Sequence, residues 1–306
     1  MKKRSIIIDT DPGIDDAIAL AAALFSEELD IRLISTVAGN VSLEKTTNNA
    51  LKLLTFWGKR IPVAMGADRP LLASPSDAAH VHGASGMDGY DFPIPDRSNL
   101  LAEHAVNAIS KTLKESAEKI TLVPIGPLTN IALLLRMYPD AREKIAEIVL
   151  MGGSLTRGNK GVMSEFNIAC DPEAARILFE SGLPIVMAPL DVGWKALVRP
   201  EDAAKIKAMG RTGEMIYALL QHYRSGDINT GFEMYDSCAI AYLLRPEMFE
   251  VAETFVAVET AGILTAGTTL VDLKGYLKQA PNVKVCVDIN EKMFRDWLLA
   301  ALKRCG

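Results

Sequence analysis

The chain has 306 residues, of which 49% are hydrophobic, so it is long enough to bury a large core in one α/β domain. Its formal net charge is −5 and its basic residues are scattered, which argues against nucleic acid and anionic membranes as partners. No stretch approaches the roughly 20 apolar residues of a membrane span. The four cysteines lie far apart without CxxC spacing, as is typical of free thiols in a reducing compartment, so we expect a cytoplasmic protein.

Strand-like and helix-like runs alternate along the chain. Short apolar runs predict strands over residues 5–9, 31–37, 61–65, 120–125, 145–150, 184–189, 254–258 and 283–287. Helical spacing of apolar residues predicts helices over 16–25, 43–57, 102–116, 128–136, 172–181, 200–209, 213–223, 236–244 and 291–303. Residues 71–96 and 155–166 read as irregular loops, which are often functional at this length. The alternation predicts an α/β fold, with a mostly parallel sheet flanked by helices in a single domain over residues 1–306.

Four aspartates, Asp9, Asp11, Asp15 and Asp16, surround a Pro-Gly break between the first strand and the first helix. Open α/β sheets bind ligands at this edge. Two unit charges about 4 Å apart interact by roughly 4 kcal/mol at an effective dielectric constant near 20, so clustered carboxylates need a counter-charge. We therefore predict a divalent cation site with oxygen ligands. Helix capping is the simpler interpretation for Asp15 and Asp16, but it leaves the earlier pair unexplained.

Two other acidic motifs share features with this run but do not match it. An EF-hand loop requires a carboxylate at its twelfth position, but counting from Asp9 or Asp11 reaches Leu20 or Ala22. A magnesium-dependent phosphatase of the haloacid dehalogenase type would use Asp9 as its nucleophile. That motif usually continues with Gly-Thr, whereas Pro12 follows here. A magnesium-dependent phosphatase is nevertheless kept as an alternative hypothesis.

The run Asp9-Thr10-Asp11-Pro12-Gly13-Ile14-Asp15-Asp16 resembles the signature of the inosine-uridine nucleoside hydrolases. Further blocks follow in the family's order: Val37-Ala38-Gly39-Asn40, His82-Gly83, Ile125-Gly126-Pro127-Leu128-Thr129-Asn130, Met151-Gly152-Gly153 and Glu165-Phe166-Asn167-Ile168. The resemblance covers essentially the whole chain and is greatest to the bacterial broad-specificity branch. It implies a nucleoside hydrolase fold with a Rossmann-like core. It also implies calcium-dependent hydrolysis of the N-glycosidic bond of purine and pyrimidine ribonucleosides to free base and ribose.

The resemblance also implies roles for individual residues. Ca²⁺ would be held by Asp11, Asp16, Asp236 and the backbone carbonyl of Ile125, with Asp11 also taking a proton from the metal-bound water. The remaining implied positions bind the substrate: Asp15, Asn40, Glu165 and Asn167 at the ribose, Met151, Asn159 and Phe166 beside it, and His82 and Tyr223 near the nucleobase. Relatives are homodimers or homotetramers, so we expect a homo-oligomer that acts on a small-molecule ribonucleoside.

Two segments depart from the family. Tyr235 stands before Asp236, where many members carry a His that resembles the acid for the leaving base. A phenol, with an ordinary pKa of about 10, is a weaker acid than imidazolium, so Tyr235 is either a proton donor or only a wall, with His82 as another candidate. Gly193-Trp194-Lys195 follows Asp-Val, where relatives usually have Thr and then Asn or His. These departures leave open an alternative, a nucleoside- or ribose-binding protein with impaired turnover.

Overall fold

The computed structural model describes residues 2–223 and 231–306. In chain order its strands are β1 (Arg4–Thr10), β2 (Leu29–Thr36), β3 (Val63–Met65), β4 (Ile120–Pro124), β5 (Ile145–Met151), β6 (Ile185–Ala188), β7 (Leu197–Val198), β8 (Phe232–Glu233), β9 (Phe249–Thr254), β10 (Val256–Val258), β11 (Thr269–Val271) and β12 (Val283–Ile289). The main sheet has eight strands in the order β3-β2-β1-β4-β5-β6-β12-β9. All neighbouring pairs in it are parallel except β12 and β9, which confirms the predicted mostly parallel sheet.

Helices connect and flank these strands. They are α1 (Ile14–Leu24), α2 (Leu43–Trp57), α3 (Ala79–His82), α4 (Ala105–Glu115), α5 (Thr129–Met137), α6 (Phe166–Cys170), α7 (Pro172–Phe179), α8 (Leu190–Gly193), α9 (Pro200–Lys207), α10 (Gly210–Leu220), α11 (Tyr235–Leu244) and α12 (Glu291–Lys303). Short 3₁₀ turns occupy Pro139–Lys144 and Pro246–Met248. None of the helices in the described ranges is long and apolar enough to cross a membrane.

The core lies on both faces of the sheet, as the buried run of β1 illustrates. Ile6 and Ile8 pack into the hydrophobic cluster on one face, and Ile7 packs into the cluster on the other. Successive side chains of a strand point to opposite faces, so a strand covered on both sides must be apolar at every position. This explains why β1 reads as a continuous apolar run up to Asp9.

The strand order reverses at β1. From β1 the chain goes outward through β2 and β3, and then returns to place β4, β5 and β6 on the other side. Parallel sheets leave a crevice at such a reversal, beyond the carboxyl ends of the two central strands. Here those strands are β1 and β4, so Asp9 and Ile125, whose backbones are joined by a hydrogen bond from Ile125 N to Asp9 O of 2.8 Å, flank the crevice.

Several predicted elements were wrong in detail. The single strand predicted over 254–258 is divided, because β9 pairs with β12 in the main sheet while β10 pairs with β11 in a separate hairpin. Gly210 begins α10 instead of separating two helices. The predicted loops at 71–96 and 155–166 contain or lead into α3 and α6, which are only four and five residues long. So short a helix contains little more than one turn and gives no periodic signal.

Candidate active site

The first strand and first helix place three of the four clustered aspartates at the crevice. Asp16 lies in the first turn of α1, where its Oδ2 accepts the N–H of Gly13 at 2.9 Å and its Oδ1 accepts the Thr10 hydroxyl at 2.6 Å. Carboxylates are favoured at helix N-termini, which explains part of this arrangement. The first turn of α11 brings Asp236 from far along the chain to the same point.

Asp15, Asp16 and Asp236 form a buried group in which one carboxylate oxygen from each residue lies within 4.8 Å of those of the other two. Asp11 is outside this group of three, but it is hydrogen-bonded to Asn40, which also contacts Asp16. Oδ2 of Asp11 accepts the backbone N–H of Asn40 at 2.7 Å, whereas its Oδ1 is buried with no hydrogen-bond partner.

Asn40 holds the acidic cluster together through its side-chain amide. Its Nδ2 donates to the backbone oxygen of Asp11 at 3.1 Å and to Oδ2 of Asp16 at 3.2 Å. Gly39 allows this approach, because a Cβ at that position would lie 2.1 Å from Oδ2 of Asp11. The amide N–H groups of Asn40 are thus directed at the two aspartates, and its contact with a ribose stays a prediction.

The electrostatics of the cluster favour neutralisation of its charge, by protons or by a bound cation. Burial, with added repulsion from Asp15, raises the pKa of Asp16 to about 6. Burial and repulsion from neighbouring aspartates also raise the pKa values of Asp11 and Asp236 well above the ordinary range of a carboxyl. Close carboxylates with an orphaned oxygen suit a hard divalent cation, which prefers oxygen ligands. The residues present therefore fit the metal that the sequence predicts.

Asp9 is buried at the end of β1, next to the acidic cluster, and is hydrogen-bonded to Ser35 and Asn130. It is 1% exposed, its Oδ1 accepts the Ser35 hydroxyl at 2.5 Å and the Asn130 amide at 2.8 Å, and its Oδ2 is buried without a partner. Burial raises its pKa to about 7 despite these hydrogen bonds. Asp9 does not line the pocket.

Helix α6 fixes the backbone on the opposite side of the crevice. Asn167 donates through Nδ2 to the carbonyl of Ile125 at 3.1 Å and to the carbonyl of Met151 at 3.2 Å. Glu165 caps the same helix, since its carboxylate accepts the N–H groups of Gly153, Asn167 and Ile168. Burial nevertheless raises the pKa of Glu165 to about 7. The Ile125 carbonyl, predicted as a metal ligand, is therefore held in place by Asn167, which is predicted to bind the ribose.

A pocket opens above these groups. It is lined by Asp15, Asn40, Ala78, His80, Val81, His82, Ile125, Met151, Asn159, Lys160, Glu165, Phe166, Asn167, Tyr223, Tyr235 and Asp236. Carboxylates and amides occupy one part, and imidazole and aromatic rings occupy another. The rings of His82 and Tyr223 lie 5.4 Å apart between centroids, and Nδ1 of His82 accepts the N–H of Ile14 at 3.1 Å. In its neutral form that imidazole therefore carries its proton on Nε2.

The structure brings together every residue that the sequence singled out for the site. Asp11 and Asp16 lie buried among the lining residues, and the other predicted positions line the pocket itself. Sequence reasoning does not place two further lining residues at the site: Lys160, whose ammonium lies 5.5 Å from the Phe166 ring centroid, and His80, which is expected to be structural. It also missed Asn130, whose contact with Asp9 spans 121 positions and leaves no local pattern.

Two further segments lie at the margins of the site. Trp194 packs against the hydrophobic core, the usual place for a single Trp, and Lys195 pairs with Asp288 at 2.7 Å. The sequence also predicts a flexible segment from Arg224 to Phe232 after the Tyr223 helix, and most of it falls on residues 224–230, which lie outside the described residues.

Comparisons with known proteins agree with this geometry. The family model of the inosine-uridine preferring nucleoside hydrolases matches residues 6–296. The chain is 55% identical over 293 residues to the non-specific ribonucleoside hydrolase RihC of Salmonella newport, covering 96% of this chain and 95% of that protein.

Solved structures give the same result. A purine-preferring ribonucleoside hydrolase from Gardnerella vaginalis superposes with a TM-score of 0.91 at 27% identity, covering 99% of each chain. A plant nucleoside hydrolase superposes with a TM-score of 0.91 at 30% identity, covering 98% of this chain and 99% of the other. With its acidic crevice and its pocket in place, the chain belongs to the inosine-uridine preferring nucleoside hydrolase family.

Proposed function

We propose that this protein is a calcium-dependent hydrolase that cleaves the N-glycosidic bond of purine and pyrimidine ribonucleosides to free base and ribose. The observation that carries the proposal is the position of the acidic cluster directly beside a pocket with one polar and one aromatic part. Polar groups suit the hydroxyls of a ribose, and aromatic rings suit the flat face of a base. The relative named as non-specific supports a broad choice of base.

The metal site proposed here consists of Asp11, Asp16, Asp236 and the Ile125 carbonyl. Asp15 is an alternative ligand, because its carboxylate is one of the three that converge within 4.8 Å. A bound Ca²⁺ would supply Lewis acidity and orient the attacking water. The orphaned Oδ1 of Asp11 supports its role as the base that accepts a proton from that water.

The ribose would be held by Asp15, Asn40, Glu165 and Asn167, with Met151, Asn159 and Phe166 beside it. Bond cleavage at a sugar develops positive charge on the ring, so nearby carboxylates stabilise the transition state. Fixed contacts to the hydroxyls also hold the sugar beside the nucleophile. Glu165 suits this work, because its hydrogen bonds to three backbone N–H groups keep the carboxylate in one orientation.

His82, Tyr223 and Tyr235 form the part of the pocket proposed for the nucleobase. The fixed tautomer of His82 presents an N–H donor at Nε2, which could hydrogen-bond a heteroatom of the leaving base. Tyr235 contributes either a second donor or only a wall. If neither group aids departure of the base, the protein binds nucleosides with little turnover, and this is the alternative function.

The proposal extends to the cellular setting. Four buried, free cysteines support a reducing, cytoplasmic compartment. A homodimer or homotetramer is proposed from the family resemblance and is tested by the mass of the protein in solution.

The decisive experiment measures free ribose after incubation with uridine and with inosine. We expect ribose from both, its loss with a calcium chelator, and its return when Ca²⁺ is added. Ligand binding without ribose from any common nucleoside would favour the binding protein, and phosphate released from nucleotides would favour the phosphatase. Activity that survives complete chelation would contradict calcium dependence.

Asp11→Ala removes the proposed base and metal ligand together. We expect kcat to fall by about a hundredfold or more, since general bases contribute at least that much. The matched control is Asp288→Ala, an exposed carboxylate that pairs with Lys195 away from the pocket and should leave ribose release unchanged. Equal rates in the two variants would remove Asp11 from the mechanism.

A further inference from the structure

Gly193, the last residue of α8, lies against the ring of Tyr235 at a point where no side chain fits. A Cβ on Gly193 would lie 2.1 Å from Cδ1, 2.8 Å from Cε1 and 3.2 Å from Cγ of that ring. Non-bonded carbon atoms ordinarily meet at about 3.5–4.0 Å. The Tyr235 ring therefore occupies the space that any other residue at 193 would need.

The backbone itself does not require glycine at this position. Gly193 is not among the residues with positive φ, and its N–H donates to the Pro189 carbonyl in helical fashion. Alanine is a better helix former than glycine. The missing side chain is therefore explained by the neighbouring ring and not by the conformation of the helix.

Neither partner can easily move away from the other. The N–H of Leu190 donates to the Gly153 carbonyl at 2.9 Å, which anchors the start of α8. The N–H of Met234 donates to the Ala196 carbonyl at 2.9 Å, beside the pairing of β7 with β8. The segment after Gly193 and the residue before Tyr235 are thus linked directly. The predicted clash also involves ring atoms close to the root of the side chain, which rotation of the ring's far end would not relieve.

Tyr235 lines the pocket, whereas Gly193 does not, so the ring stands between the glycine and the nucleobase space. We propose that Gly193 is a positioning residue that determines specificity, because its missing side chain lets the Tyr235 ring sit back from the pocket and so sets the room for the base. The two departures of this chain from its family, at 193 and at 235, are then one matched change. The inference rests on the proposed function only in that a nucleoside occupies this pocket.

Gly193→Ala tests the proposal. The added methyl group should push the ring toward the pocket and disfavour the larger purine base more than the pyrimidine. We expect kcat/KM for inosine to fall by about tenfold, as for a misfit of one methyl group, and kcat/KM for uridine to fall less. A merely structural role would lower both values equally, and that result would overturn the proposal.

Removing the ring should remove the effect. In a Tyr235→Ala background, the same Gly193→Ala change should leave the inosine-to-uridine ratio of kcat/KM unaltered, because the methyl group then fills vacated space. The control pair uses Tyr242→Ala, which truncates a tyrosine on the same helix that packs against Phe249 outside the pocket. In the Tyr242→Ala background, Gly193→Ala should shift the inosine-to-uridine ratio of kcat/KM as much as it does in the wild type. A ratio that shifts as much without the Tyr235 ring as with it would contradict the proposal.

Unfolding measurements cover the case in which Gly193→Ala is too unstable to assay. Overpacking should then raise the equilibrium constant for unfolding of Gly193→Ala by at least about tenfold. Adding Tyr235→Ala should reverse that loss of stability. If the double variant does not recover this stability, the proposed fit between Gly193 and the Tyr235 ring is contradicted. If the wild type releases no ribose, the proposed function fails by itself, and the ratio of inosine and uridine dissociation constants in the same variants tests Gly193 independently.

Discussion

Asp9 is a buried carboxylate that lies outside the pocket lining. Its carboxylate is enclosed beneath the acidic cluster, where Ser35 and Asn130 hold one oxygen and the other has no partner. An acid whose folded pKa lies near 7, against an ordinary 3.8, binds its proton more tightly in the folded than in the unfolded protein. Its burial therefore costs stability increasingly as the pH rises from about 4 to about 7.

Asp9→Asn should remove this pH-dependent cost. The advantage of the variant over the wild type, both treated with chelator, should grow between pH 4 and pH 7 and stay constant above that. Any fixed loss from the new amide N–H groups shifts the whole curve without changing its slope. Urea unfolding across this pH range measures the difference. Asp140→Asn, at an exposed site, should give a curve parallel to the wild type, and a parallel curve for Asp9→Asn as well would contradict the assignment.

Among the elements, α6 has a role disproportionate to its five residues. It carries Asn167, which joins the carbonyls of Ile125 and Met151 and so fixes the carboxyl ends of two neighbouring strands. Because the Ile125 carbonyl is a proposed metal ligand, α6 would connect the proposed ribose side of the pocket with the proposed metal site.

Asn167→Ala should loosen the Ile125 carbonyl and weaken calcium binding. Partners that orient metal ligands typically contribute about 10- to 100-fold in affinity, so the calcium concentration for half-maximal ribose release should rise about tenfold. Asn159→Ala is the matched comparison, because Asn159 lines the same pocket but its oxygen accepts the N–H of Phe166. Its calcium requirement should stay at the wild-type value whatever its effect on KM. An unchanged calcium requirement in Asn167→Ala would contradict the role proposed for Asn167 in orienting the Ile125 carbonyl.

At the scale of the whole molecule, we expect the acidic cluster to make stability depend on the proposed metal. Burial raises the pKa of Asp16 to about 6 and moves those of Asp11 and Asp236 in the same direction. Below these values the carboxyls hold protons that a cation must displace, whereas above them they repel one another in the metal-free protein. Calcium binding should therefore stabilise the fold more at pH 8 than at pH 5.

Thermal unfolding with Ca²⁺ and with chelator checks this expectation. At pH 8, calcium at a hundredfold excess over its dissociation constant contributes about 2.7 kcal/mol, which corresponds to a rise in Tm on the order of 5 °C for a chain of this size. The rise should be smaller at pH 5. Equal shifts at both pH values would mean that the cation binds elsewhere, and Mg²⁺ in place of Ca²⁺ tests the choice of ion.

The sequence predicted long, periodic elements well and short ones poorly. The bounds of α2 and α12 match the predicted 43–57 and 291–303, because each helix has several turns of amphipathic spacing. The helices α3 and α6 were missed because one turn carries no period. That residues 1–306 form a single domain remains a prediction.

The same contrast holds for the site. The aspartates were recognisable because four of them stand in one short run, and the family's blocks supplied the rest of the pocket. The support that Asn130 gives to Asp9, and the fit of Gly193 to Tyr235, arise from contacts between distant segments. Both residues stand in segments that the sequence marks as notable, but their partners lie far along the chain, so only the folded chain shows what each of them contacts.

The enclosed cysteines make this protein a convenient host for chemical labelling. All four are buried and free, and burial raises the pKa of Cys170, Cys286 and Cys305 to about 12 and that of Cys238 well above its ordinary value. The thiolate is the form that attacks thiol-specific reagents, so the native protein should react slowly and the denatured protein should titrate four thiols. One cysteine introduced on the surface would then accept a fluorophore or spin label alone, without prior removal of any native thiol.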